Sequence, residues 1–311
     1  MKTAFVFPGQ GAQYIGMAMD FVAADPALAE LLNGFDAAHG TNLMQIMQAG
    51  PEESLKETRF TQPAILFHSY CALKLFLAKT DIKPDFVAGH SLGEFTALVA
   101  NGMLTPADAM HIVHKRGEFM IRANAGVPFA MAAIIGLDAQ AVIDACNEAS
   151  EAGIVLAVNF NTPIQTVISG SASGVQAAGE IAKAKGAKRV LPLVVGGPFH
   201  TPLIHEASQW LATEMSKFPF ANTTIPVVSN VDAMPSTDPT ETVAKLERQI
   251  ISPVRWVECI EYMKSQGVTR YIEFGPQKVL SGMIKNIDKD AVLFNIDKVE
   301  DIDTVLAALN A

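Results

Sequence analysis

The sequence predicts an α/β protein in two parts: a large α/β-hydrolase-like unit on a parallel-sheet core, and a small ferredoxin-like α+β unit inserted into it. Three observations predict this. A strand, a glycine-bounded turn and a helix follow one another at 86–99. Apolar strands alternate with helices from the first residues onward, the pattern of a sheet covered by helices. Between 126 and 195 the order becomes strand-helix-strand-strand-helix-strand, the ferredoxin-like signature. The large unit is therefore expected at 1–125 and 196–311, with the insert at 126–195.

Each element has a local reason. Ala4–Phe7 is an apolar strand running into the turn Pro8-Gly9-Gln10-Gly11. Pro63–Leu77 is a long apolar helix, and Phe86–Ala88 a short buried strand after Pro84. Leu92–Val99 has helical spacing, with Phe95, Leu98 and Val99 on one side, and Pro106–Ala123 is the next helix. In the insert, Phe129–Ile135 is a strand and Asp138–Ser150 a helix capped by its aspartate. Val155–Asn159 and Thr166–Ser169 are strands joined by Asn161-Thr162-Pro163, Ser173–Lys185 is a helix, and Val190–Val194 closes the unit. Gly196-Gly197-Pro198 is a hinge back to the large unit, where Ile225–Ser229 and Tyr271–Glu273 are further strands.

Composition narrows the function. With 50% hydrophobic and 18% charged residues in 311, the chain can bury a sizeable core. A net charge of −9 argues against general nucleic-acid binding. No apolar run reaches membrane-spanning length, and the first residues read as a strand rather than a signal peptide. Cys71, Cys146 and Cys259 are scattered and odd in number, which points to a reducing, cytoplasmic setting. Neither they nor the seven histidines show metal-ligand spacing, so no metal is expected.

Gly89-His90-Ser91-Leu92-Gly93 fits G-x-S-x-G, the turn that lifts a serine onto the start of a helix. Backbone N–H groups there can hold a developing oxyanion. Such a serine needs a base. His90 adjoins Ser91 and is expected to pack or to hydrogen-bond the turn. His111 and His114 are expected on the surface or flank of their helix, and His39 and His68 have no distinguishing context. His200 stands apart, in a strand-exit loop bracketed by Pro198 and Pro202. No acidic residue stands in a context that would complete a triad, so a backbone or amide carbonyl is the alternative partner for the imidazole.

Taken together, Pro8-Gly9-Gln10-Gly11-Ala12-Gln13, Gly89-His90-Ser91-Leu92-Gly93-Glu94 and Gly197-Pro198-Phe199-His200-Thr201-Pro202 resemble the malonyl-CoA:acyl carrier protein transacylase family. Thr61-Gln62-Pro63-Ala64, Arg116-Gly117-Glu118-Phe119-Met120, Asn159-Phe160-Asn161-Thr162-Pro163, 249–256 and Glu273-Phe274-Gly275-Pro276 fit in the same order. The resemblance implies Ser91 as nucleophile, His200 as base, and the N–H groups of Gln10 and Leu92 as the oxyanion hole. It implies Arg116 as the partner of a malonyl carboxylate and the Gln249 carbonyl as the group orienting His200. Gln62, Met120, Asn161 and Phe199 would line or support the acyl pocket, Phe199 crowding a branched acyl group. Without it, Arg116 reads as an ordinary helix-surface arginine.

The resemblance further implies malonyl-CoA and an acyl carrier protein as partners in fatty acid biosynthesis, and no resident cofactor. Lys183, Lys185, Lys188 and Arg189, with Lys278 and Lys285 farther on, are the basic residues expected to meet an acidic carrier. A monomer is expected. A trans-acting polyketide acyltransferase and the transferase component of a malonate decarboxylase share this chemistry. A serine hydrolase would share Ser91 and His200 but need no Arg116. A non-catalytic carrier-binding module would need none of the three.

Overall fold

The structure is a computed structural model describing residues 1–124, 126 and 128–309. Its strands are β1 (Lys2–Phe7), β2 (Phe86–Gly89), β3 (Phe129–Ile135), β4 (Val155–Thr162), β5 (Gln165–Ser171), β6 (Arg189–Pro192), β7 (Val227–Val228), β8 (Pro235–Ser236), β9 (Val268–Phe274) and β10 (Val292–Ile296). Six of them form one sheet in the order β10-β9-β1-β2-β7-β8, parallel except for β8 at the edge. β1 is buried from Thr3 to Phe7, as a strand covered on both faces must be.

The carboxyl ends of β1 and β2 run into Pro8-Gly9-Gln10 and His90-Ser91, so both segments open at the same sheet edge. A methyl group at Gly89 would collide with the Gly93 backbone, and one at Gly93 with the Phe7 carbonyl. Only glycines let the elbow close against β1.

The sheet rests on the helix Thr58–Leu77, which is buried along most of its length. That helix begins five residues before Pro63, the residue expected to open it. Proline in a helix leaves the carbonyl four residues back without its N–H partner. Here that carbonyl is Arg59 O, and His114 Nδ1 takes its place at 2.9 Å. This contact buries His114, which is 3% exposed rather than on the helix surface.

The smaller sheet has the order β4-β5-β3-β6, antiparallel throughout. Ala132 and Ile134 of β3 pack against the helices Ala139–Glu148 and Ala172–Ala184, while Met131 and Ala133 face the larger core. Asp138 and Ser171 cap the two helices by accepting from Ala141 N and Gly174 N. The two sheets are joined by Val254, which donates to Val158 O at 2.7 Å and accepts from Phe160 N at 3.0 Å. The expected first boundary adjoins Ala125 and Val127, which lie outside the described residues.

Two strands end short of expectation, while β1, β4, β5 and β9 run longer than expected. Pro226 offers no N–H, so pairing around 225–229 shrinks to β7. β6 starts at Arg189 and stops at Pro192, leaving Leu193 and Val194 as an exposed apolar lip.

Candidate active site

A cavity of about 440 Å³ lies where the elbow faces the small sheet. Ser91, His200, Arg116, Gln62, Met120, Phe199, Gln10 and Leu92 line it, together with Met131, Asn159 and Val167 from the smaller sheet. Ser91 sits at φ 52°, a left-handed conformation costly for a side chain beyond glycine.

Ser91 Oγ lies 2.9 Å from His200 Nε2. His200 Nδ1 faces two carbonyls, Gln249 O at 2.9 Å and Ser252 O at 3.1 Å. Carbonyls only accept, so Nδ1 carries the proton and Nε2 is left as the acceptor for the serine hydroxyl. No carboxylate takes part. Burial, reinforced by the nearby Arg116, pushes the His200 pKa down to about 3. The imidazole is thus neutral and poised to receive a proton.

Arg116 comes from the helix Pro106–Arg122 and is 1% exposed. Its Nη1 donates to Gln62 Oε1 at 2.9 Å. Its Nη2 donates to Ser91 Oγ and to Gln249 Oε1, each at 3.0 Å. Every one of these acceptors is neutral. Burial lowers its pKa to about 10, with Glu94 opposing the shift. A guanidinium held dry among neutral acceptors is a site for an anion, and its planar fork suits a carboxylate.

The remaining sequence-predicted residues fall around this pair. Gln62 is fixed between Arg116 and Met120, donating to the Met120 sulfur at 3.7 Å. Phe199 closes one wall. Asn161 stands outside the cavity lining; its Oδ1 lies 2.8 Å from His90 Nε2 and steadies that ring beneath the turn. The backbone N–H groups of Gln10 and Leu92 have no hydrogen-bond partner among the described residues, while the Gln10 side chain donates to Thr58 Oγ1 at 3.5 Å. Of the basic residues, Lys185 is paired with Glu148 at 2.8 Å and Lys183 edges a shallow groove beside β6. Lys188 and Arg189 are exposed. Lys278 directly precedes the helix Val279–Ile287 and Lys285 lies in its last turn, tied to the Lys289 carbonyl.

Sequence reasoning missed Asn230, Ser252 and the side-chain role of Gln249. Gln249 Nε2 donates to Ser91 O at 3.0 Å and Glu94 Oε2 at 2.8 Å while its Oε1 holds Arg116. Glu94 is fully buried, and its pKa is raised to about 6 by desolvation.

A serine–histidine pair beside a buried guanidinium hydrogen-bonded only to neutral acceptors among the described residues, on the carboxyl edge of a parallel sheet with a ferredoxin-like insert, marks an acyl-transfer protein. Residues 4–299 match the model of the acyl transferase domain, and the chain belongs to that family. It is 45% identical over 284 residues to the malonyl CoA-acyl carrier protein transacylase of Escherichia coli strain K12, covering 91% of this chain and 92% of that one. The acyl-carrier-protein S-malonyltransferase of Burkholderia pseudomallei superposes with a TM-score of 0.94 at 42% identity, over 99% of this chain and 100% of that one. A malonyl-transacylase in complex with its type II PKS acyl-carrier protein gives 0.95 at 38% identity, over 99% and 100%.

Proposed function

We propose that this chain transfers the malonyl group from malonyl-CoA to the phosphopantetheine thiol of an acyl carrier protein, through an acyl-serine. The observation that carries the reading is Arg116, buried and paired only with neutral acceptors, 3.0 Å from the serine oxygen. A malonyl carboxylate is the missing charge. An acetyl group would leave the guanidinium unpaired, which costs more than the bond itself is worth.

The steps follow from the contacts. His200 Nε2 takes the Ser91 proton as Oγ adds to the thioester carbonyl. The N–H groups of Leu92 and Gln10 hold the oxyanion. The carbon–sulfur bond breaks, and the coenzyme A sulfur leaves with the proton from His200. The carrier thiol repeats these steps in reverse order. The Gln249 carbonyl keeps the imidazole aimed, Gln62 and Met120 set the Arg116 fork, and Asn161 supports the turn through His90. The phosphopantetheine belongs to the partner, and the reading needs no resident cofactor.

In this reading the chain is a cytoplasmic monomer supplying fatty acid synthesis, and its units divide at 125/126 and 195/196. The carrier meets the exposed Lys188 and Arg189 at the start of the strand whose exit, at Leu193, Val194 and Val195, lines the cavity. Competition between a fatty-acid and a polyketide holo-carrier for the acyl-enzyme identifies the carrier served.

Intact-mass measurement after brief mixing with malonyl-CoA tests the reading. The wild type gains a malonyl adduct that holo-carrier discharges, acetyl-CoA gives little, and Ser91→Ala gives none. A wild type without adduct, or one losing it to water as fast as to carrier, overturns it.

A further inference from the structure

The elbow is held by a side chain that the proposed steps do not use. Asn230 is fully buried and lies two residues beyond the end of β7. Its Oδ1 accepts from Ser91 N at 2.7 Å, and its Nδ2 donates to Gly89 O at 2.8 Å. One carboxamide therefore spans the turn from the last residue of β2 to the nucleophile. The orientation is unambiguous, because Ser91 N–H only donates and Gly89 O only accepts.

Asn230 is itself fixed on both sides. Its N–H donates to Glu94 Oε2 at 3.0 Å, and its carbonyl accepts from Arg255 N at 3.0 Å. Glu94 Oε2 also takes Gln249 Nε2, the group that reaches Ser91 O. Both backbone polar groups of Ser91 are thus held by side chains, from the β7 exit and from the end of the helix Pro239–Gln249, and its carbonyl also accepts from Glu94 N at 3.1 Å. A left-handed non-glycine residue persists only where its surroundings over-determine it. Here the surroundings are these two amides.

The contact has a second effect. Ser91 N–H is spent on Asn230, which does not line the cavity. The elbow's remaining donor to an oxyanion is Leu92 N–H.

We propose that Asn230 is a positioning residue for acyl transfer: it locks the elbow so that Ser91 Oγ stays aimed at His200, and it turns Ser91 N–H away so that Leu92 N–H faces the reacting carbonyl. This rests on the acyl-serine reading above. The role is independent of the acyl group, since it acts on the nucleophile and not on Arg116.

The test is single-turnover modification of the full chain, following both rate and final modified fraction by intact mass. Malonyl-CoA is one reagent and phenylmethylsulfonyl fluoride, a neutral serine reagent, is the other. Asn230→Ala slows both by roughly 10- to 100-fold, the cost of a nucleophile that is no longer well placed. The final modified fraction and the KM for malonyl-CoA stay within twofold of wild type. Asn230→Asp keeps the shape and the acceptor for Ser91 N–H but loses the donor to Gly89 O, and falls between. If the alanine variant does not fold, the aspartate variant decides alone. A wild-type rate in a folded variant overturns the role. So does a loss confined to malonyl-CoA, or a smaller modified fraction at unchanged rate, which marks misfolding. Absence of any malonyl adduct on the wild type overturns the function reading and this role together.

Discussion

Arg116 Nη2 and Ser91 Oγ are hydrogen-bonded at 3.0 Å, so the residue proposed to bind the malonyl carboxylate touches the proposed nucleophile itself. The same oxygen gives its proton to His200 Nε2 at 2.9 Å. With a donor on one lone pair, the hydroxyl is partly occupied until an anion draws the guanidinium away. In the proposed reaction a carboxylate-bearing acyl group would draw Arg116 to itself and free the oxygen that attacks it.

Arg116→Ala should therefore damage malonyl transfer far more than acetyl transfer. A charge-assisted bond is worth about 1.5–3 kcal/mol, so kcat/KM for malonyl-CoA falls roughly 10- to 150-fold. Acetyl-CoA turnover stays level or rises. Arg116→Lys keeps the charge but loses the fork and recovers only part of the malonyl rate. Steady-state kinetics with both thioesters decide, and equal losses for the two would contradict the assignment.

The pH profile should lack the usual histidine limb. His200 is held near pKa 3 by burial and by Arg116, so its neutral, basic form persists well below the ordinary 6.5. Acylation by malonyl-CoA stays flat from pH 8 down to about 5. In Arg116→Ala the charge is gone while the burial remains, so the His200 pKa moves upward and the acid limb lies at higher pH than in the wild type. A wild-type limb centred at 6–7 would exclude this picture.

Stability should fall on acidification. His39, His90, His114 and His200 all have folded pKa values below 6.5, chiefly through burial. The unfolded chain binds more protons below that pH, so stability is complete above it and drains as pH falls toward the folded values. Glu94, raised to about 6, acts in the opposite sense, since the fold favours its protonated form. Urea midpoints at pH 7.5 and 5 should therefore drop less in the wild type than in Glu94→Gln. His39→Gln should flatten the slope.

Phe199→Ala should admit branched acyl groups. The ring forms a wall of the cavity and is 7% exposed. Removing it opens room for an α-methyl, and one methylene in an apolar pocket is worth about 1–3 kcal/mol. The methylmalonyl-to-malonyl ratio of kcat/KM should rise roughly tenfold, measured in direct competition by mass spectrometry.

Charge reversal at Lys188 and Arg189 should raise the KM for carrier protein several-fold. Acylation from malonyl-CoA alone should not change. An unaltered carrier KM would place the docking surface elsewhere.

The frame of this fold was legible because local rules act without competition. The elbow glycines, the cap Asp138 and the strand-helix order of the insert each announce themselves in a few residues. His114 was misread because its burial depends on a carbonyl freed by Pro63, fifty-one residues away in sequence and in another helix. Asn230 escaped for the same kind of reason. It follows a strand of only two residues, and its partners Ser91 and Gly89 reach it only after the parallel sheet has formed. Arg116 carries no local sign of burial either, since the acceptors Gln62 and Gln249 come from two other helices.

Val254 binds the edge strand of the small sheet through two backbone hydrogen bonds, and Ser252, two residues upstream, offers its carbonyl to His200. The stretch between them is too short to absorb slack. The small unit's edge strand is therefore anchored within three residues of a carbonyl that aims His200, so one short segment sets both the seat of the insert and the aim of the imidazole.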